Sequence, residues 1–235
     1  MALMQRYTRS QFIYSTYGQP VLISGAINAA PIEKALGSLE GVAFEAAVAG
    51  DAGNLISVEY IDYIPAVAAS RAVQDLTYTA DTAGAAGNSI TITYTGGATA
   101  GAEVVSVVGS AISVQIENGV STASDIRTAV NAFGAAAALV NVVISGSGSN
   151  AQSIQSSTAL LGGANAIGAA GSEVVTVVGN AITVRLQSGV STVTQVRTAI
   201  NASGPASALI VATGTDISPV SAPRGPSFLS GGDSG

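Results

Sequence analysis

The feature that most constrains this chain of 235 residues is an internal repeat. Positions 100–140 match positions 170–210 at a constant offset of 70, with 24 identities in 41 positions and no gap. An upstream pair, 42–60 and 76–94, matches at a shift of 34. Repeated sequence predicts repeated structural units, so the order of the copies decides the domain organisation.

The copies follow one another in the order A, A, B, B, where A is the upstream segment and B the downstream one. Tandem duplication would give A, B, A, B, so we interpret the order as one module inserted into a surface loop of another, where insertion is tolerated. The prediction has three parts: an N-terminal arm at 1–41, an outer module split into 42–73 and 164–235, and an inner module at 74–163.

The B copies carry the pattern of strands followed by a helix. Segment 111–117 alternates apolar and polar residues, which is typical of a half-buried strand. Thr122 with Asp125, and Thr192 with Gln195, have the spacing of a helix capping box. We therefore predict an α+β fold with two homologous β-β-β-α-β modules, one nested as an insertion in the other, plus an extended N-terminal arm.

The composition predicts association with other proteins. Hydrophobic residues make up 48% of the chain and charged residues only 9%, against about 25% in ordinary soluble domains. Because surface charge keeps monomers apart, we expect a homo-oligomer or lattice. A net charge of −6 argues against nucleic acid as a partner. We expect no membrane span, since no run of 18 apolar residues occurs, and no signal peptide, since the first 18 residues lack an apolar core.

Four carboxylates occupy paired positions that have to be weighed as a catalytic dyad or a calcium site. Glu103 and Glu173 begin equivalent strands, and Asp51 and Asp81 flank equivalent glycine loops. A polar residue at a strand edge explains the first pair better than a catalytic dyad. Nothing in the spacing indicates the six or more converging oxygens of a calcium site. With no His and no Cys for the usual nucleophile–base pairs, we predict no enzyme activity, no cofactor and no metal.

Three glycine-containing segments also need an interpretation. "GSGSNA" at 146–151 has the letters of a dinucleotide fingerprint, but no helical periodicity follows it, so we predict a loop. "DAGN" at 51–54 and "AAGN" at 85–88 favour tight turns in which the asparagine bonds its own backbone. None of the three predicts a phosphate site.

The repeated text, "LTYTADTAGAAGNSITITYTGG", then "VVSVVGSAISVQIENGVSTASDIRTAVNA", then "ALLGG", resembles a module that recurs in structural proteins of tailed bacteriophages, including tail and head-surface proteins. The N-terminal "YSTYGQPVLISGA" is similar to the opening of small phage virion proteins. The resemblance implies a role in assembly and location in the virion, assembled in the host cytoplasm. It carries over no catalytic residue.

We therefore expect a non-enzymatic virion structural protein, with a capsid decoration or cement protein as the leading hypothesis. Its partners would be other virion proteins, the major capsid or tail subunits. Two alternatives stay open: a phage tail protein (tube, sheath-associated or neck), and a secreted adhesin that binds glycans. The expected partner-binding residues lie in the arm: Tyr7, Phe12, Tyr14, Tyr17 and Val21.

Overall fold

The computed structural model describes residues 32–233 in full and, in addition, the backbone of residues 11–14 and 20–23. The fold is α+β, made mostly of β-sheet with a few short helices. This confirms the predicted fold class at its coarse level.

The chain divides into two compact units. The split unit comprises Met1–Tyr63 and Gly168–Gly235, and the continuous unit comprises Ile64–Ile167. The chain thus leaves the split unit after residue 63 and returns to it at residue 168. The division differs from the predicted boundaries, which placed residues 64–73 and 164–167 in the outer module.

The secondary structure is as follows. The first part of the split unit contains β1 (Gln11–Tyr14), β2 (Pro20–Ile23), β3 (Leu36–Leu39), β4 (Val42–Ala46) and β5 (Ser57–Asp62). The continuous unit contains β6 (Ser70–Val73), β7 (Leu76–Ala80), β8 (Thr91–Gly96), β9 (Val104–Val108), β10 (Ala111–Ile116), α1 (Ala123–Ala132), α2 (Gly134–Ala137), β11 (Val140–Ile144) and β12 (Gln155–Ala159). The second part of the split unit contains β13 (Val174–Val178), β14 (Ala181–Leu186), α3 (Val193–Ala202), α4 (Gly204–Ser207), β15 (Ile210–Thr213) and β16 (Arg224–Phe228).

Each unit contains a four-stranded and a three-stranded sheet. In the continuous unit the orders are β12-β8-β10-β9 and β11-β7-β6, and in the split unit they are β13-β14-β5-β16 and β15-β4-β3. The central pairs, β8 with β10 and β5 with β14, are parallel, and the other pairs are antiparallel. β1 and β2 form a separate antiparallel hairpin. Seven strands in two sheets do not confirm the finer β-β-β-α-β arrangement, which had too few strands.

The parallel pairing in the split unit joins distant parts of the chain. β5 lies in the upstream A segment, whereas β14 lies in the downstream B copy, and Val58 is in register with Ile182. β3, which lies within the predicted arm at 1–41, pairs with β4 and belongs to the sheet of this unit. The arm therefore does not include residues 36–39.

The helices begin as the sequence predicts. The Thr122 hydroxyl accepts a hydrogen bond from the Asp125 backbone N–H, and the Asp125 carboxylate accepts one from the Thr122 N–H. Thr192 and Gln195 form the same reciprocal box in α3. Both predicted capping boxes are confirmed. They fix the start of each helix so that one apolar stripe, including Ile126 in α1, is buried against the sheets.

In both units a 3₁₀ turn, Ala85–Ser89 or Asp51–Leu55, is bound to a glycine in the last segment of the unit, 159–165 or 228–233; we call the contact the closing contact and the segment the closing segment. In the continuous unit Asn88 donates to the Gly163 carbonyl and accepts from the Gly163 N–H, both at 2.9 Å. In the split unit Asn54 makes the same two bonds with Gly232, also at 2.9 Å. Each asparagine amide therefore bonds both backbone groups of the glycine, as a residue of a neighbouring β-strand would. The prediction that these asparagines bond their own backbone is wrong.

Candidate assembly surface

The strand β9 lies at one edge of its four-stranded sheet, where it pairs with β10. Val105 and Val107 turn inward and pack against the hydrophobic core. Val104, Ser106 and Val108 point the other way and are exposed, Val108 to 80% of its full area. The strand therefore presents an uncharged, partly apolar row to solvent at a sheet edge.

The split unit presents the same strand a second time. β13 pairs with β14 in the same register and differs from β9 only in having Thr176 where β9 has Ser106. Val178 is 75% exposed, and Val174 is also exposed. One chain thus carries two nearly identical edges, which we call the valine edges: Val104–Val108 and Val174–Val178.

The turns that build these edges are specified locally. Val108 is opposite Ala111, so only Gly109 and Ser110 connect β9 to β10. Gly109 has φ of 61°, and Gly179 has φ of 58° in the matching turn. A two-residue hairpin with glycine at its first central position matches the right-handed twist of the strands. The glycine at this position therefore holds the valine edge in register.

Several other edge strands, β15 of a three-stranded sheet and β12 and β16 of the four-stranded sheets, carry features that oppose pairing. In α3, Asn201 donates to the Ala212 carbonyl at 2.8 Å and accepts from its N–H at 3.0 Å, in the place that another strand would take beside β15. β16 contains Pro226 and a register shift, and β12 has a shift as well. Proline and irregularities of this kind are how proteins protect sheet edges.

The valine edges lack such features. Neither contains a charged residue or a proline. Within residues 32–233, the backbone hydrogen bonds of β9 run to β10 and those of β13 to β14. Helices α1 and α2 pack near β9, and α3 and α4 near β13. The exposed valines point away from the core that the helices cover.

Each unit holds one member of each predicted carboxylate pair. Glu103 accepts a hydrogen bond from the Gly101 N–H at 3.0 Å. Glu173 accepts one from the Gly171 N–H at 2.9 Å and one from the buried Ser191 hydroxyl at 2.8 Å. These two carboxylates stabilise the turns that lead into the valine edges.

Of the five predicted partner-binding residues, Tyr7 and Tyr17 lie outside the described residues. For Phe12, Tyr14 and Val21 the structure describes only the backbone, which lies in the β1–β2 hairpin. Their role in partner binding stays a prediction, and no residue of the valine edges is among the predicted binding residues.

The loop "GSGSNA" is fixed by a carboxylate from another turn. Asp75 accepts hydrogen bonds from the side-chain amides of Asn150, at 3.2 Å, and of the buried Gln152, at 3.0 Å. These bonds lower the pKa of the Asp75 carboxyl, the Gln152 bond most strongly. A Cβ at Gly146 would overlap this carboxylate. The segment is a loop, as predicted, and its glycine is explained by packing.

Within residues 32–233, no helix is long and apolar enough to cross a bilayer. No group of three or more Asp or Glu side chains in the described part of the chain is arranged to hold a metal ion.

Comparisons of this chain with protein-family models, with curated proteins and with solved structures find no match.

Proposed function

We propose that this protein is a non-enzymatic structural component of a tailed-bacteriophage virion, most specifically a decoration or cement protein of the capsid. Its partners would be the major capsid subunits and further copies of itself. The proposal combines the resemblance of the repeated text to phage virion modules with the presence of two valine edges in one chain. A molecule with two equivalent attachment strands is suited to linking neighbours in a lattice, because modest contacts add up when several form together.

The observation that carries the proposal is the duplication of the exposed edge. β9 and β13 share four of five residues and the same exposed valines, Val104 with Val174 and Val108 with Val178. An exposed, uncharged edge strand favours association with another chain. Two of them in one chain, with few charges elsewhere, favour a repeating assembly over a single complex.

The fold supports a finer proposal about the origin of this duplication. We propose that the two units are homologous modules and that the continuous unit was inserted into a loop of the split unit. The ends of the continuous unit are paired, since Ile64 bridges Ile167 and Val67 bridges Ala164. Adjacent ends are what insertion into a surface loop requires. The split unit has the equivalent bridge between Glu33 and Asp233.

The test is to locate the polypeptide in purified particles by cryo-electron microscopy. A capsid decoration protein gives density on the shell at symmetry-related sites. Density in a helical stack or a neck ring assigns the protein to the tail instead. Absence from particles, together with saturable binding on a glycan array, supports the adhesin.

A second experiment addresses the arm and the shell. Particles assembled with a chain that lacks residues 2–25 should lose most of the protein if the arm holds it in place. A cement protein should also stabilise the shell, so particles without it should release DNA at a lower temperature than complete particles. Unchanged occupancy after truncation would place the attachment elsewhere, with the valine edges as the next candidates.

A further inference from the structure

We propose that the occupant of each valine edge is the valine edge of a second copy of this chain, paired antiparallel as an added strand. The inference deepens the proposed function, on which it rests, by naming the partner of this surface. It gives each chain two points of self-association, so that copies connect into oligomers larger than a dimer.

Four other edge strands, β11, β12, β15 and β16, carry protecting features that β9 and β13 lack. On β15 the backbone N–H and C=O of Ala212 are bonded to Asn201, and on β11 the Val142 carbonyl accepts a hydrogen bond from Asn131. The bulges of β12 and β16 disturb the regular spacing of their backbone groups. A regular five-residue strand of four valines and one Ser or Thr, without such protection, is a template for another strand.

The near identity of the two edges points to self-association. An antiparallel pair of identical strands is self-complementary, because each offers the same alternation of N–H and C=O groups to the other. The pairing centred on Ser106 aligns Val104 of one copy with Val108 of the next. Exposed valines then lie opposite exposed valines, which is a favourable cross-strand pair.

Charge selects the antiparallel orientation. Parallel pairing would place Glu103 of one copy beside Glu103 of the other, which is a destabilising like-charge pair. Antiparallel pairing centred on Ser106 instead places Glu103 opposite Gly109, in the neutral hairpin turn. The same alignment in β13 places Glu173 opposite Gly179. The antiparallel arrangement centred on Ser106 avoids the repulsion that in-register parallel pairing would create.

The size of the edge sets the strength of the contact. Specific, stable interfaces bury about 1,200–2,000 Å² in total, and a single strand of five residues covers much less than a whole interface of that size. One edge pairing is therefore weak, and the assembly depends on both edges and on concentration. Because each copy carries a net charge of −6, association should strengthen as salt rises from low ionic strength towards about 0.15 M.

The decisive experiment measures mass against concentration by sedimentation velocity with the full chain. The edge variant carries Val108→Lys and Val178→Lys. Lysine on an exposed edge strand opposes pairing with another strand, and both side chains already point into solvent. The control variant carries Val48→Lys and Ile217→Lys, which add the same charge at loop positions exposed to 73% and 81%. Far-UV circular dichroism checks that both variants are folded.

The expected result is a wild-type mass that rises above 22.9 kDa with concentration. The control variant should behave like wild type, the edge variant should stay at the mass of one chain, and each single edge variant should stop at a dimer. A wild type that stays at one chain throughout overturns the proposal. So does an edge variant that associates like wild type, or a control variant that loses association equally.

Cross-linking provides a second readout that does not depend on the lysine variants folding. The chain has no cysteine, so Ser106→Cys introduces a single thiol at the centre of the proposed pair. Directly opposed residues of an antiparallel pair have Cα atoms about 4.5–5.5 Å apart, within the range of a disulfide. Mild oxidation should give a disulfide-linked dimer much faster than in Ser156→Cys, whose thiol would lie on β12. Equal rates overturn the proposal.

The outcome is independent of the test of the proposed function. If the chain does not self-associate but is present on purified particles, only the proposed edge pairing is contradicted. If the chain self-associates through the valine edges but is absent from particles, only the proposed virion role is contradicted.

Discussion

The hydroxyl oxygens of Tyr78 and Tyr94 lie 2.7 Å apart and share a hydrogen bond within the core of the continuous unit. The aligned positions in the split unit hold Phe44 and Tyr60. There the Tyr60 hydroxyl donates to the Leu39 carbonyl at 3.2 Å. The two units thus satisfy the same buried hydroxyl in two different ways, and each depends on one specific partner.

Replacing Tyr78 with Phe should destabilise the continuous unit by about 1–3 kcal/mol, because the Tyr94 hydroxyl then stays buried without a partner. The double variant Tyr78→Phe, Tyr94→Phe should be more stable than the single one, since no unpaired hydroxyl remains. Hydrogen exchange measured by mass spectrometry on peptides from 76–80 and 91–96 reports this unit separately. Peptides from 42–46 serve as the control and should exchange as in wild type. A double variant less stable than Tyr78→Phe would contradict this account.

Alkaline pH should lower the stability of both hydrophobic cores. Burial raises the pKa of Tyr60, Tyr78 and Tyr94 above the usual value of 10.0. A tyrosine whose pKa is higher in the folded state stabilises the fold fully below its unfolded pKa, and this contribution is lost as pH rises above about 10. We expect the midpoint of urea unfolding to be constant from pH 7 to 9 and to fall above pH 10. A midpoint that stays constant to pH 12 would show that these hydroxyls are not protected from ionisation.

Local patterns of the sequence predict the elements that local physics determines. The capping boxes are confirmed because a cap requires only two side chains three residues apart and an extended residue between turn and helix. The strand predicted at 111–117 is confirmed as β10, where Ile112, Val114 and Ile116 are buried. Alternation works there because one face of the strand packs on a core.

Elements that depend on distant partners could not be predicted. β3 and β6 lie 34 positions apart, at the shift of the upstream repeat, but their sequences, "LGSL" and "SRAV", share no residue at any position. Sequence comparison therefore cannot extend the repeat to these strands. Asn54 and Gly232 meet across 178 positions. The valine edges depend on strand order, because nothing in "VVSVV" states whether the strand is central or at an edge. Only the missing charges and prolines in this strand hinted at it.

The capping box of α3 should contribute measurably to the stability of the split unit. Thr192→Ala removes the hydroxyl that accepts from the Gln195 N–H, which typically costs about 0.5–2 kcal/mol. Thr192→Ser keeps an acceptor at the same position and should lose much less. Hydrogen exchange of the first turn of α3 checks this, with α1 as the internal reference. Equal protection in the Ala and Ser variants would show that the cap is dispensable.

The glycine at the closing contact of the continuous unit should not tolerate a methyl group. A Cβ on Gly163 would lie 2.5 Å from the Gly84 carbonyl oxygen, so the closing segment must move away from the Asn88 side chain that holds it. Overpacking of this kind costs about 1–3 kcal/mol. Gly134→Ala is the matched control, because nothing lies within 4 Å of its Cβ position at the start of α2. That variant should be neutral or slightly stabilising.

Thermal unfolding of both glycine variants, followed by calorimetry, measures the difference. Gly163→Ala should lower the transition of the continuous unit and speed hydrogen exchange at residues 159–165, where the closing segment lies. Gly134→Ala should leave that exchange unchanged, because α2 lies outside the closing contact. If both variants unfold at the wild-type temperature, the Asn88–Gly163 contact does not hold the unit closed. The equivalent bonds of Asn54 with Gly232 would then lose their assigned role as well, since their geometry is the same.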